Sequence, residues 1–89
     1  MFIKTASNSV YEIDEANKKI RRLKGERDAT PYFGVDGEFR AYQSINRLAD
    51  NTLLIIWGLK NDGQIIAQTT RTTKIVKQAN SIEDLIEVN

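Results

Sequence analysis

The sequence predicts one small all-β domain over residues 1–89, an antiparallel meander folded as a small barrel or sandwich of about five or six strands with a short C-terminal helix. The first supporting observation is the run 53–59, which is densely apolar and carries the single Trp. The second is Asn61-Asp62-Gly63, which supplies the positive φ angles of a tight hairpin turn. The third is the Ile- and Thr-rich run 64–70, whose composition favours a strand.

Three short strands are expected at the N-terminus. Residues 2–6, 10–13 and 18–23 are predicted as strands, separated by polar turns at 7–9 and 14–17. Short loops join antiparallel neighbours, so the three strands should form a meander. The alternative over residues 14–24 is a helix capped by Asp14. Its apolar stripe of Ala16, Ile20 and Leu23 is thin, and the strand is therefore favoured.

The middle of the chain combines an irregular segment with one alternating strand. Residues 25–37 contain Pro31 and two Gly turn signals, which disfavour regular structure. Residues 38–45 alternate, which predicts a half-buried strand with one solvent face. One face would carry Phe39, Ala41, Gln43 and Ile45, and the other Glu38, Arg40, Tyr42 and Ser44. Residues 46–51 are a polar connection.

The C-terminal half contains the hairpin, one more strand segment and a helix. The first hairpin arm is apolar on both faces, which predicts a central strand covered from two sides. Residues 74–77 either prolong the second arm or form a last strand. Residues 81–88 are predicted as a helix or docking tail capped by Ser81, with Ile82, Leu85 and Ile86 at helical spacing. So short a helix is not stable alone and must dock on its own sheet or on another subunit.

The composition removes several classes of function. The 13 basic and 12 acidic residues give a net charge of +1, without the global field of a strong nucleic-acid binder. The absence of Cys and His excludes disulfides and argues against a transition-metal site, and no cofactor is expected. An enzyme is not expected, because the usual general base and the thiol nucleophile are missing. No apolar run approaches the ~20 residues that span a bilayer, and no signal peptide is recognisable, so no membrane partner and a cytoplasmic location are expected.

A basic cluster is the strongest candidate site. It consists of Lys18, Lys19, Arg21, Arg22, Lys24 and Arg27. As an edge strand, it would simply be a charged surface that deters aggregation. As a ligand site, it would bind an anion such as a phosphate or nucleotide, with Tyr32 and Phe33 as stacking faces. The third interpretation is an acidic protein partner.

The small core and the apolar tail helix together predict self-association. The loop around Tyr32 and Phe33 is either a lid on the core or an interface anchor. Trp57 belongs either to the core or to a subunit interface, where Ile82, Leu85 and Ile86 would join it. A chain of 89 residues buries only about 60–65% of its unfolded surface, so its core is marginal. We therefore expect a homo-oligomer.

Four blocks of the chain resemble small uncharacterised proteins of bacteriophages and prophages. These blocks are residues 10–14, 17–23, 36–40 and 53–58, and the resemblance covers about residues 9–58. It implies a phage accessory protein that acts in the host cell, and it transfers no functional residue. The expected function is a non-catalytic binding protein that blocks a host protein or sequesters an anionic nucleotide. The alternatives are a virion or assembly module and a small nucleic-acid binder.

Overall fold

The computed structural model describes residues 1–25 and 32–85, and at 59–61 and 65 it describes the backbone alone. Within this part the elements are β1 Phe2–Thr5, β2 Val10–Asp14, β3 Lys19–Lys24, β4 Arg40–Ala41, β5 Ser44–Arg47, β6 Leu53–Asn61, β7 Gln64–Arg71, β8 Ile75–Ala79 and α1 Ile82–Leu85. The strands form one sheet in the order β4-β3-β2-β1-β8 and a second in the order β5-β6-β7. The all-β class with a short C-terminal helix is confirmed, whereas the described residues form eight strands and their two sheets are not closed into a barrel.

The N-terminal meander is confirmed. Strands β1, β2 and β3 pair in antiparallel order. The two turns need left-handed residues, which Asn8 (φ 63°) and Lys18 (φ 51°) provide. The Asp14 carboxylate accepts hydrogen bonds from the backbone and side-chain N–H groups of Asn17 (3.2 and 2.9 Å), and these bonds lower the pKa of Asp14. Residues 19–24 are a strand, so the helical alternative over 14–24 is wrong.

The prediction of one strand over residues 38–45 is wrong. The chain pairs with β3 at β4, then crosses to the second sheet and pairs with β6 as β5. The backbone N–H of Tyr42 donates to Lys18 O (3.0 Å) and that of Gln43 donates to Ile56 O (2.8 Å), so the switch lies between these two residues. Tyr42 is buried while Ala41 and Gln43 are exposed, and Ser44 and Ile45, which belong to opposite faces of the predicted strand, are both half-buried. The crossing interrupts the alternation on which the prediction depended.

The hairpin is the longest feature of the fold. Its two-residue loop has Asp62 at φ 51° and Gly63 at φ 78°, as predicted. Strand β6 is central in its sheet, but β5 covers its edge only from Leu53 to Ile56. Beyond Ile56 the hairpin continues as a two-stranded arm, in a molecule measuring 51 × 28 × 27 Å. The expected cover of β6 from two sides is partial, because its side chains alternate between buried and half-buried from Leu53 to Trp57.

The core lies between the two sheets and is centred on Trp57. The indole is 1% exposed, and it packs with residues of both sheets, including Ile13, Ile20 and Ile55. Its Nε1–H donates to Oγ1 of Thr70 at 2.9 Å. Trp57 is therefore covered by its own chain.

The C-terminal elements return to the first sheet. Strand β8 pairs with β1, and α1 packs against both of these strands. Oγ of Ser81 accepts the backbone N–H of Asp84 (3.3 Å), so the predicted cap is present. Leu85 is buried and Ile82 is half-buried, whereas Ile86 lies outside the described residues. The tail thus docks on its own sheet as far as Leu85.

Candidate functional site

Arg22 points into the protein. Its guanidinium lies on the core side of β3 beside Ile20 and is 7% exposed. Nε and Nη2 donate to the two carboxylate oxygens of Asp36 at 2.7 and 3.1 Å, a bidentate pair. A Cβ at Gly25 would come within 2.5 Å of Arg22 Nη1, so glycine leaves room for the guanidinium. The structure therefore places Arg22 where it anchors the 32–37 loop to β3.

Arg21 lies on the opposite face of β3, facing solvent. Its Nε donates to Glu12 Oε1 at 2.7 Å, and Nη1 donates to the carbonyl of Gly37 at 3.2 Å. Its Cζ lies 4.5 Å from the ring centroid of Phe39, a cation–π contact worth about 0.5–1 kcal/mol at an exposed position. Three separate contacts therefore hold the guanidinium in one orientation.

The lysines of the cluster do not converge. Lys19 is opposite Asp14 across the β2–β3 ladder, and its charge helps to lower the pKa of Asp14 after the stronger effect of the Asn17 bonds. Lys18 lines a cleft beside Glu15, and Lys24 is exposed at the far end of β3. Since β3 has six residues, its ends lie about 17–20 Å apart. Arg27 lies outside the described residues. The described members therefore form no shared anion pocket.

The aromatic loop is packed on the core. The Phe33 ring is 3% exposed, with its centroid 5.2 Å from Tyr11 and 5.2 Å from Trp57 in an edge-on arrangement. Tyr32 lies 6.3 Å from Trp57, and its hydroxyl donates to Gln68 Oε1 at 3.2 Å. Residues 32 and 33 thus join the first sheet to the second, and Phe33 presents no free face for a base.

Burial also affects the ionisation of two tyrosines. Desolvation raises the pKa of Tyr11, while a hydrogen bond with Ser9 and the positive charge of Arg22 oppose this effect. Desolvation raises the pKa of Tyr42 as well, and the nearby carboxylate of Glu15 acts in the same direction. Both hydroxyls therefore stay protonated beyond the usual tyrosine range.

A surface that the sequence did not predict lies beside Arg21. We call it the Phe39 surface, and it comprises Glu12, Lys19, Arg21, Leu23 and Phe39. The strand register places these residues on the solvent face of β2 and β3, with Phe39 continuing from β4. Phe39 is 39% exposed and Leu23 is half-buried. The surface therefore combines an accessible aromatic ring with a fixed guanidinium, and only the unpredicted β3–β4 pairing brings them together.

Two open clefts lie between the sheets, beside β5. One is about 250 Å³ and the other about 280 Å³, and Ile13, Glu15 and Ile45 line both. The first also contains Arg47 and the second Lys18, so each has one acidic and one basic side chain at an apolar floor. Neither cleft gathers charges of one sign.

The described residues contain no group of three or more metal-ligating side chains. Within the same residues, no helix has the length and apolarity to cross a membrane. Comparison with protein-family models, with curated proteins and with solved structures finds no match to this chain. The site must therefore be interpreted from its own geometry.

Proposed function

We propose that this chain is a non-catalytic binding protein that blocks a host protein through the Phe39 surface, acting in the host cytoplasm as its resemblance to phage accessory proteins suggests. The observation that supports the proposal most is the Arg21–Phe39 pair. Aromatic residues and Arg are enriched at the energetic centres of protein interfaces. Here Arg21 lies on the solvent face of β3, and Phe39 directly precedes β4 and packs against the guanidinium.

Preorganisation strengthens this argument. Binding normally costs about 0.5–1.5 kcal/mol for each flexible side chain that it immobilises. Arg21 is already held by Glu12, by the Gly37 carbonyl and by the Phe39 ring. A partner would therefore meet a guanidinium that loses little further freedom.

A protein partner has more support than a nucleotide or nucleic acid. An anion site needs several basic groups directed at one point. The buried Arg22 is paired with the exposed Asp36, and Arg21 is paired with Glu12. Lys18 precedes β3 and Lys24 ends it. The Phe39 surface is mixed in charge, which suits a protein contact with an apolar centre and a polar rim.

Photocrosslinking followed by affinity measurement tests the proposal. A photoreactive phenylalanine analogue replaces Phe39 in one sample and Val76 in the other, and crosslinked proteins are identified in host cells. Val76 is a matched control because it is an exposed apolar residue (59%) on β8, at the far edge of the same sheet. We expect one host protein to crosslink at position 39 and not at 76.

The affinity of the purified chain for the crosslinked host protein then measures how much each side chain contributes to binding. We expect Phe39→Ala and Arg21→Ala each to weaken binding about tenfold or more, and Val76→Ala to leave it unchanged. Equal affinity of wild type and Phe39→Ala would refute the proposal. A nucleotide or oligonucleotide that binds with steep salt dependence and loses affinity in Arg21→Ala would instead favour the anion interpretation.

A further inference from the structure

Within residues 1–25 and 32–85, one edge of strand β7 has no strand paired with it. It is the terminal strand of its sheet, and within the described residues it pairs only with β6. The backbone N–H of Thr72 donates to Leu53 O at 2.9 Å, and the two-residue loop makes Asn61 and Gln64 a bonded pair. Along an antiparallel ladder, residue pairs that exchange backbone hydrogen bonds alternate with pairs that do not. The even-numbered residues of β7 therefore bond to β6. The N–H and C=O groups of residues 65, 67, 69 and 71 are therefore directed at the free edge.

The other terminal strands carry the usual protection against pairing. Strand β4 has only two residues, and β5 has four and ends in Arg47. Strand β8 contains Lys77, and α1 packs beside it. Short length, charge and cover are the devices by which proteins block edge-to-edge association.

Strand β7 has less of this protection: it is eight residues long, and its one charged residue is Arg71 at its end, which is paired with Asp50. From Gln64 to Thr70 it has seven consecutive residues without a charge or a proline, and they are rich in Ile and Thr. Such a strand is a template for another strand, and its exposure would promote aggregation unless a partner covers it. Ile66, which is 37% exposed on the arm, adds apolar surface that a partner would cover.

We propose that β7 pairs antiparallel with β7 of a second copy of the chain, about a two-fold axis at Gln68. In this register the backbone N–H and C=O groups of all four edge-directed residues form hydrogen bonds, and Ala67 of one copy is opposite Thr69 of the other. A two-fold axis at Ala67 would give hydrogen bonds to only three of these four residues. This register places Arg71 of each copy opposite Ile65 of the other, so no two like charges are opposite each other. Self-pairing of β5 or β8 would instead bring Arg47 or Lys77 near the same residue of the second copy.

The resulting dimer is a continuous six-stranded sheet. The register sets Ile66 beside Thr70 of the other copy, near the root of the hairpin where Trp57 is buried. The two arms then lie against each other's bodies instead of extending into solvent. This contact is independent of the Phe39 surface, which belongs to the other sheet.

Single-cysteine crosslinking tests the register. The chain has no cysteine of its own, so each engineered thiol has one identity. In the proposed dimer, Gln68→Cys faces its own copy in a non-bonded pair with Cα atoms about 4.5 Å apart, within disulfide reach. The Cα atoms of Ala67→Cys would be more than about 7 Å apart, too far for a disulfide. We expect oxidation to produce a covalent dimer from Gln68→Cys only. Equal crosslinking of both variants, or of neither, would overturn the register.

Charge variants keep the proposal testable if Gln68→Cys is poorly folded. Ala67→Lys with Thr69→Lys places like charges opposite each other at the edge, and the matching double Glu variant does the same with the opposite sign. We expect sedimentation velocity to show a wild-type dimer, association weakened about tenfold or more in each double variant, and recovery in their mixture. A monomeric wild type at micromolar concentration, or a dimer in both double variants, would overturn the proposal.

Discussion

Thr70→Val tests the hydrogen bond at the centre of the core. Valine has nearly the shape of threonine but cannot accept a hydrogen bond, so the Trp57 Nε1–H loses its partner at 2.9 Å. Trp57 is 1% exposed and Thr70 is 9% exposed, so water cannot readily replace the lost oxygen. The substitution therefore changes one interaction without creating a cavity.

The expected cost follows from that burial. An ordinary hydrogen bond contributes about 1 kcal/mol net, but a buried donor that loses its acceptor costs about 1–3 kcal/mol. We therefore expect Thr70→Val to lower the free energy of unfolding by about 2 kcal/mol. For a domain of this size that lowers the urea midpoint by about 1–2 M.

Fluorescence of the single Trp measures this change directly. Urea unfolding is followed at one fixed protein concentration, because dimerisation would make the midpoint concentration-dependent. Thr69→Val is the matched control: Thr69 is the neighbouring residue and is exposed. We expect it to change stability by less than about 0.5 kcal/mol.

A double-mutant cycle identifies the cause. In a Trp57→Phe background there is no indole N–H, so Thr70→Val should then cost much less than in the wild type; because this background has no Trp, its urea unfolding is followed by circular dichroism. If Thr70→Val destabilises no more than Thr69→Val, or costs the same in both backgrounds, the hydrogen bond does not stabilise the core as reasoned here.

Three further outcomes are expected. Asp36→Ala removes the bidentate carboxylate from the buried Arg22 cation. It should cost about 1–2 kcal/mol in urea unfolding, because the Asp36 side chain is 39% exposed and water screens the pair. Glu38→Ala, from a pair exposed on both sides, should cost less than about 0.5 kcal/mol, and equal costs would contradict this. Burial raises the folded pKa of Tyr11 above 10.0, so its contribution is complete below the unfolded pKa and is lost as pH rises through the folded pKa. Tyr11→Phe should therefore lose less stability than wild type between about pH 9 and about pH 11, and an unchanged pH profile would argue against this. Gly63→Ala, at φ 78°, should cost about 1 kcal/mol, and a stabilised variant would contradict the turn assignment.

Local signals in the sequence predicted the local parts of the fold. The turn at Asp62 and Gly63 and the cap at Ser81 depend on residues next to each other in the chain, so their chemistry can be recognised without knowledge of the tertiary structure. The N-terminal meander could be predicted for the same reason, because only short polar turns separate its strands.

The parts that could not be predicted depend on pairings between distant residues. Alternation shows which residues share a face but not which face is buried, so Arg22 was predicted beside solvent although its side chain is 8% exposed. The sheet switch after Tyr42 has no turn signal of its own, and it decides that Phe39 meets Arg21. For these reasons the basic cluster was predicted as one site, while the structure divides it between two faces.

Backbone amide hydrogen exchange along β7 tests the central structural claim most directly. The N–H groups of Ile66 and Gln68 bond to β6 within one chain, so they should be protected at every protein concentration. The N–H groups of Ala67 and Thr69 should be protected in concentrated solution and should exchange rapidly on dilution, because in the proposed dimer their hydrogen bonds are to the second copy. Rapid exchange at Ala67 and Thr69 at all concentrations would contradict the paired edge.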